Sequence, residues 1–132
     1  MPVRWTHITF PVSDVDRSIA FYESFCDLVV LRDRRQEGGG TVWLGPKSAE
    51  GEQPRFIMVI GKGDVPYRLD HLGFQCEAKA QVDQIAERAR QLGVLELSPR
   101  DYGGVVGYFT MIRDPDGHLV EFTYGQPIAG LD

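Results

Sequence analysis

Cysteine is scarce in this chain: among 132 residues only Cys26 and Cys76 carry a thiol, and neither belongs to a CxxC pair. Both are expected to be reduced, as in a cytoplasmic protein. Cationic charge is also sparse. Lys and Arg number 14 against 19 acids, for a net charge of −5, and the one short basic run is Arg32, Arg34, Arg35. Nucleic-acid binders concentrate their cations on one face, so no nucleic acid is expected and a small molecule is the default partner. No apolar stretch approaches the roughly 20 residues of a membrane helix. The opening "MPVRWTHITF" lacks a signal-peptide core ahead of a small-residue cleavage site. A cytoplasmic location with no membrane partner is the expectation.

What is present is the composition of an ordinary globular protein, 42% apolar and 25% charged. A chain of this length buries a core without disulfide or metal staples, so residues 1–132 are read as one domain. Within it, one unit is written twice. Residues 5–12 read as a strand, and Ser13 with Asp16 has the spacing of a capping box. Val15, Ile19, Tyr22 and Cys26 then recur at helical spacing to about Phe25. Strands follow at 27–35, 41–45 and 55–61, with a polar loop, "GPKSAEGEQP", before the last. In the second half, 70–76 is a strand and Val82, Ile85, Ala86, Ala89 and Leu92 mark a helix closed by Gly93. Three more strands lie at 94–98, 107–112 and 118–124. The expected architecture is α+β, two tandem β-α-β-β-β units (1–61 and 68–125) joined by a short linker, with helices on one side of curved mixed sheets.

The duplication sets polar residues in register. His7 and His71 occupy the first strands of the two units, and Glu121 follows His71 by 50 positions. Matching "FIMV" to "LVEF" makes Met58 the first-unit counterpart of Glu121. Each alone has a plainer reading: a strand histidine is usually a hydrogen-bonded structural residue, and Glu121 could pair with Arg4, Arg55 or Arg113. A buried carboxylate nevertheless costs several kcal/mol unless it is paired. Three metal-capable side chains at repeat-equivalent positions argue for convergence on one cleft. Two His and one carboxylate suit a non-haem iron or a catalytic zinc site. His118, beside the "DPDG" turn, reads as an exposed turn residue.

The stretches "HITFPVSDVDRSIAFYE", "HLGFQC" and "RDPDGHLVEF" together resemble the vicinal oxygen chelate superfamily, the glyoxalase/bleomycin resistance/dioxygenase group, over nearly the whole chain. The resemblance implies paired β-α-β-β-β units around a cleft that holds one divalent metal (Fe, Mn, Ni or Zn) on His7, His71 and Glu121. It also implies a homodimer, and a substrate whose vicinal oxygens chelate the metal. Glyoxalase I is similar but carries a glutamate at the position matching Met58, and methylmalonyl-CoA epimerases a glutamine, so both are disfavoured. Fosfomycin-resistance transferases share a Thr two residues after the first His, matching Thr9. Their basic residue after the last strand is missing from "TYGQPIAGLD". Extradiol dioxygenases match the triad but use a further His and Tyr near the metal. The leading expectation is a metal-dependent enzyme of the glyoxalase/dioxygenase type, with Glu121 as ligand and proton carrier. Thr9, Met58, Thr123 and Tyr124 are candidate substrate contacts, and Trp43 and Phe109 candidate pocket walls. The competing expectation is a non-catalytic small-molecule binding protein of the bleomycin-resistance type.

Overall fold

A computed structural model describes residues 3–47 and 56–127. Arg55 and residues 48–54 of the expected loop lie outside the described residues. The chain divides into two compact units between Pro66 and Tyr67, inside the expected linker.

Unit 1 runs β1 (His7–Val12), α1 (Val15–Cys26), β2 (Leu28–Asp33), β3 (Thr41–Pro46) and β4 (Ile57–Lys62). Its four-stranded sheet has the order β1-β4-β3-β2, with β1 and β4 parallel and the other neighbours antiparallel. Unit 2 repeats the order with β5 (Leu72–Gln75), α2 (Lys79–Gln91), β6 (Leu95–Asp101), β7 (Tyr108–Arg113) and β8 (Leu119–Tyr124). Its sheet is β5-β8-β7-β6, again with the first and last strands parallel. Each unit is thus one helix on one mixed, open sheet, the α+β class expected.

Local chemistry explains the element ends. The Asp14 carboxylate accepts the Arg17 N–H at 3.1 Å, so Asp14 rather than Ser13 caps α1, and the helix starts one residue beyond the expected capping box. Asp27 closes α1 in the left-handed region at φ 55. Gly93 does the corresponding work after α2 at φ 73, where a side chain would be strained. β6 is longer than the expected 94–98, since it continues to Asp101 through Pro99. It tolerates the proline because it is an edge strand with irregular register against β7.

Each sheet buries the face that its helix covers. In unit 1, Phe10, Val12, Val42, Leu44, Met58 and Ile60 are buried together with Tyr22 of α1. In unit 2, Val82, Ala86 and Ala89 of α2 are buried with Ile112, Val120 and Phe122. Burying each large side chain stabilises by about 1.5–3 kcal/mol, which is why the helices sit on this face. His7, Thr9 and Pro11 alternate with the core residues of β1 and are exposed on the other face.

The parallel registers correct one expectation. β1 pairs His7 with Ile57, Ile8 with Met58 and Thr9 with Val59. β5 pairs Leu72 with Val120 and Gly73 with Glu121. Aligning the units on their histidines makes Val59, not Met58, the counterpart of Glu121. The burial strings of β4 and β8 agree residue by residue over their first four positions. Met58 belongs to the helix-covered face with Ile8 and is 6% exposed. The first-unit counterpart is apolar on either reading, so the lack of a second carboxylate stands.

Candidate functional site

Glu121 is held by the middle of β8, between β5 and β7, opposite Gly73 on one side and Met111 on the other. It is 8% exposed. The carboxylate lies beside Gly73, where a Cβ would meet Glu121 Oε2 at an ordinary van der Waals distance of 3.6 Å. Burial holds the Glu121 carboxyl above the ordinary carboxylate range, while the charge of nearby His71 and a hydrogen bond from Gln126 pull the other way. Arg113, one candidate for neutralising it, is committed elsewhere. Its guanidinium pairs with Glu96 at 2.5 Å and donates to the carbonyls of Gly93 and Leu95 at 2.7 and 3.3 Å. Among the described residues no Lys or Arg forms an ion pair with Glu121.

His71 lies one residue ahead of β5. Its Nδ1 is 2.6 Å from Asp70 Oδ1, and the pair is exposed to solvent. A carboxylate on Nδ1 fixes the tautomer and turns the Nε2 lone pair outward, the arrangement common around metal-ligating imidazoles. In unit 1 the His7 Nδ1 lies 2.8 Å from Thr6 Oγ1, a hydroxyl that can donate or accept and so holds the ring without selecting its tautomer. Unit 2 therefore assembles a pair, His71 and Glu121. Among the described residues no three His, Cys, Asp or Glu side chains gather as a group that could hold an ion. By chemistry the donors still fit a borderline divalent ion: imidazoles engaged at Nδ1, and a buried carboxylate that feels the charge of an imidazole and has no guanidinium partner.

The other candidates divide by face. Thr9 is exposed on the His7 face, in the row Thr9–Val59–Trp43 across three strands. Trp43 carries the Arg32 and Arg34 guanidiniums at 5.6 and 5.9 Å from its ring centre. Thr123 shares the face of Glu121, is 3% exposed, and its Oγ1 reaches the Tyr108 carbonyl at 3.5 Å. Phe109, opposite Thr123, stacks on Tyr102 with centroids 4.4 Å apart. Tyr124 alternates with Thr123, so it belongs with Val120 and Phe122 on the opposite face, and it is 42% exposed. Neither Met58 nor Tyr124 shares its unit's face with the histidine or glutamate candidate.

His118 is not the exposed turn residue the sequence suggested. It is 1% exposed, and its Nδ1 accepts the Leu69 N–H at 2.8 Å. Its position directly after Gly117, where the chain enters β8, was the one available sign.

Comparison with known proteins identifies the family. Residues 4–122 match the Glyoxalase/Bleomycin resistance protein/Dioxygenase superfamily. The chain is 42% identical to Pseudomonas aeruginosa protein PA2024 over 94% of its own length and 90% of the relative's. It is 32% identical to the metallothiol transferase FosB of Lysinibacillus sphaericus, covering 96% of this chain and 85% of FosB. Among solved structures it resembles a variant of the fosfomycin resistance protein FosX of Listeria monocytogenes, complexed with Mn(II) and 1S,2S-dihydroxypropylphosphonic acid. The TM-score is 0.75 at 22% identity, over 96% of this chain and 95% of that one. With the duplicated β-α-β-β-β units and the family match over almost all of the chain, the protein belongs to the glyoxalase/bleomycin resistance/dioxygenase superfamily.

Proposed function

We propose that this chain is a divalent-metal-dependent enzyme acting on a small molecule with neighbouring oxygens, and that His7, His71 and Glu121 are its metal ligands. The observation that carries the reading is Glu121: a buried carboxylate whose charged neighbour is His71 and not a basic ion-pair partner. A buried anion with no fixed cation is expensive, and an ion bound beside it would remove that cost. A divalent ion in such a site supplies Lewis-acid stabilisation of negative charge developing on oxygen.

The chain's own residues have separable tasks. Asp70 orients the His71 ring and selects its tautomer through Nδ1, while the Thr6 hydroxyl holds the His7 ring in place. Glu121 is the one acid in the proposed ligand set, so moving a proton to or from substrate would fall to its carboxylate when it leaves the metal. Thr9 and Thr123 are the substrate contacts that the faces favour; Met58 and Tyr124 are not. Support comes from the relatives: FosB is named a metallothiol transferase, and the FosX ligand carries two neighbouring hydroxyls.

The test is a substrate panel on Mn(II)-loaded protein: thiol addition to an epoxide phosphonate, hemithioacetal isomerisation and catechol oxygen uptake. Turnover in one arm that is lost in Glu121→Gln is the expected result. Metal binding with no turnover in any arm, but tight uptake of a planar or hydrophobic compound, favours the non-catalytic binding reading.

A further inference from the structure

The described residues hold one buried histidine to which the proposed chemistry gives no task, His118. Its backbone is locked by the turn before it. The Asp114 carboxylate accepts the N–H groups of Asp116 and His118 at 2.9 and 2.8 Å, and the Asp114 N–H donates to the His118 carbonyl at 2.9 Å. Gly117, at φ 86, turns the chain so that His118 points inward at the start of β8. The imidazole then reaches 49 residues back along the chain, where its Nδ1 accepts the Leu69 N–H at 2.8 Å. A backbone N–H can only donate, so Nδ1 carries the lone pair and the ring proton lies on Nε2.

That bond ties together the segments carrying His71 and Glu121. Glu121 lies three residues after His118 in β8, and His71 two residues after Leu69. The regular β5–β8 ladder begins only at Leu72, so the Leu69–Asp70–His71 segment has no strand pairing to fix it. We propose that His118 is a positioning residue for the second-unit ligands. Its Nδ1 fixes the Leu69 amide, and with it the Asp70–His71 pair relative to Glu121. The inference rests on the proposed ligand role of His71, but its structural half stands without any metal.

The test uses the full-length protein and three variants. His118→Leu fills the site but removes the acceptor. His118→Asn places a carbonyl oxygen on the branch point that carries Nδ1. Val82→Ala loosens the same unit from the helix side, and its mutagenic loss of thermal stability serves as the control. Amide hydrogen exchange at Leu69 and the 15N shifts of the His71 ring are read without metal, and Mn(II) affinity by calorimetric titration. In His118→Leu the Leu69 amide should lose its protection and the His71 ring its single tautomer. Mn(II) affinity should fall, by less than the about 10- to 100-fold that losing a direct outer partner of a metal ligand costs. His118→Asn should restore most of all three, and Val82→Ala should move none beyond its effect on stability. An unchanged Leu69 amide and His71 ring in His118→Leu would overturn the proposal. So would equal changes in Val82→Ala, or no restoration in a folded His118→Asn. Should His118→Leu fail to fold, retention of wild-type protection and shifts in His118→Asn supports the proposal and their loss refutes it. If the wild type binds no Mn(II), the ligand assignment fails while the metal-free readouts still decide what His118 does.

Discussion

Asp70→Ala should separate metal affinity from stability more cleanly than other changes in the chain. The Asp70 side chain is 96% exposed and its His71 partner 40%, so their contact lies in water. An exposed pair of this kind contributes about 0–1 kcal/mol to folding. For a domain of this size that is at most about 4 °C in the unfolding midpoint. The same carboxylate sits 2.6 Å from His71 Nδ1, where it selects the tautomer that leaves the Nε2 lone pair open for the proposed metal. Losing such an outer partner costs about 10- to 100-fold in metal affinity, or about 1.4–2.7 kcal/mol at 25 °C. Stability should therefore be nearly unchanged while affinity falls by one to two orders of magnitude. Thermal unfolding without metal and calorimetric Mn(II) titration give the two numbers. Wild-type affinity in a folded Asp70→Ala protein would refute the orienting role, as would a stability loss large enough to account for weaker binding.

The remaining predictions concern Glu121, the sheet face of Met58 and one tight loop. Burial raises the folded-state pKa of Glu121, so the folded state binds more protons than the unfolded one between the two pKa values. Stability of the metal-free protein should then decline as pH rises through that window, upward from the ordinary carboxylate value, and Glu121→Gln should flatten the decline; the unfolding midpoint against pH reads it. Met58→Ala should cost about 2–5 kcal/mol by urea unfolding, as a core truncation does, with Mn(II) affinity unchanged. A pocket wall would show the reverse. Gly107→Ala should destabilise more than Gly104→Ala in the same assay. Both have positive φ, worth about 1–2 kcal/mol to a non-glycine residue. Only at Gly107 would the new Cβ lie 2.6 Å from the Tyr124 carbonyl oxygen, whereas Gly104 has open space.

The duplication was legible because two independent periodicities, strand then helix, recur in the same order, and the structure reproduces all ten elements. The Met58 assignment failed for a specific physical reason. β4 is buried at Met58, Val59 and Ile60 alike, so it offers no apolar–polar alternation from which its faces can be read. The match of "FIMV" to "LVEF" then decided the alignment, and the parallel ladder overrides it. Residues whose role depends on backbone partners were illegible for a related reason. Only its place after Gly117 locally distinguishes His118 from a turn histidine facing water, because its partner is an amide 49 positions away. The helix start moved by one residue because Ser13 and Asp14 are both good caps and sequence alone cannot rank them. Glu121 was found because a carboxylate among large apolar strand residues breaks the pattern such a strand otherwise keeps.

Metal stoichiometry tests the central claim most directly. The purified protein is stripped with chelator and reconstituted in turn with Mn(II), Fe(II), Ni(II) and Zn(II). Bound metal per chain is then measured for the wild type, His71→Ala and Glu121→Gln. One ion per chain in the wild type, lost in His71→Ala and weakened in Glu121→Gln with both variants folded, is the predicted result. Absence of stoichiometric binding with every ion, or undiminished binding in His71→Ala, would contradict the account.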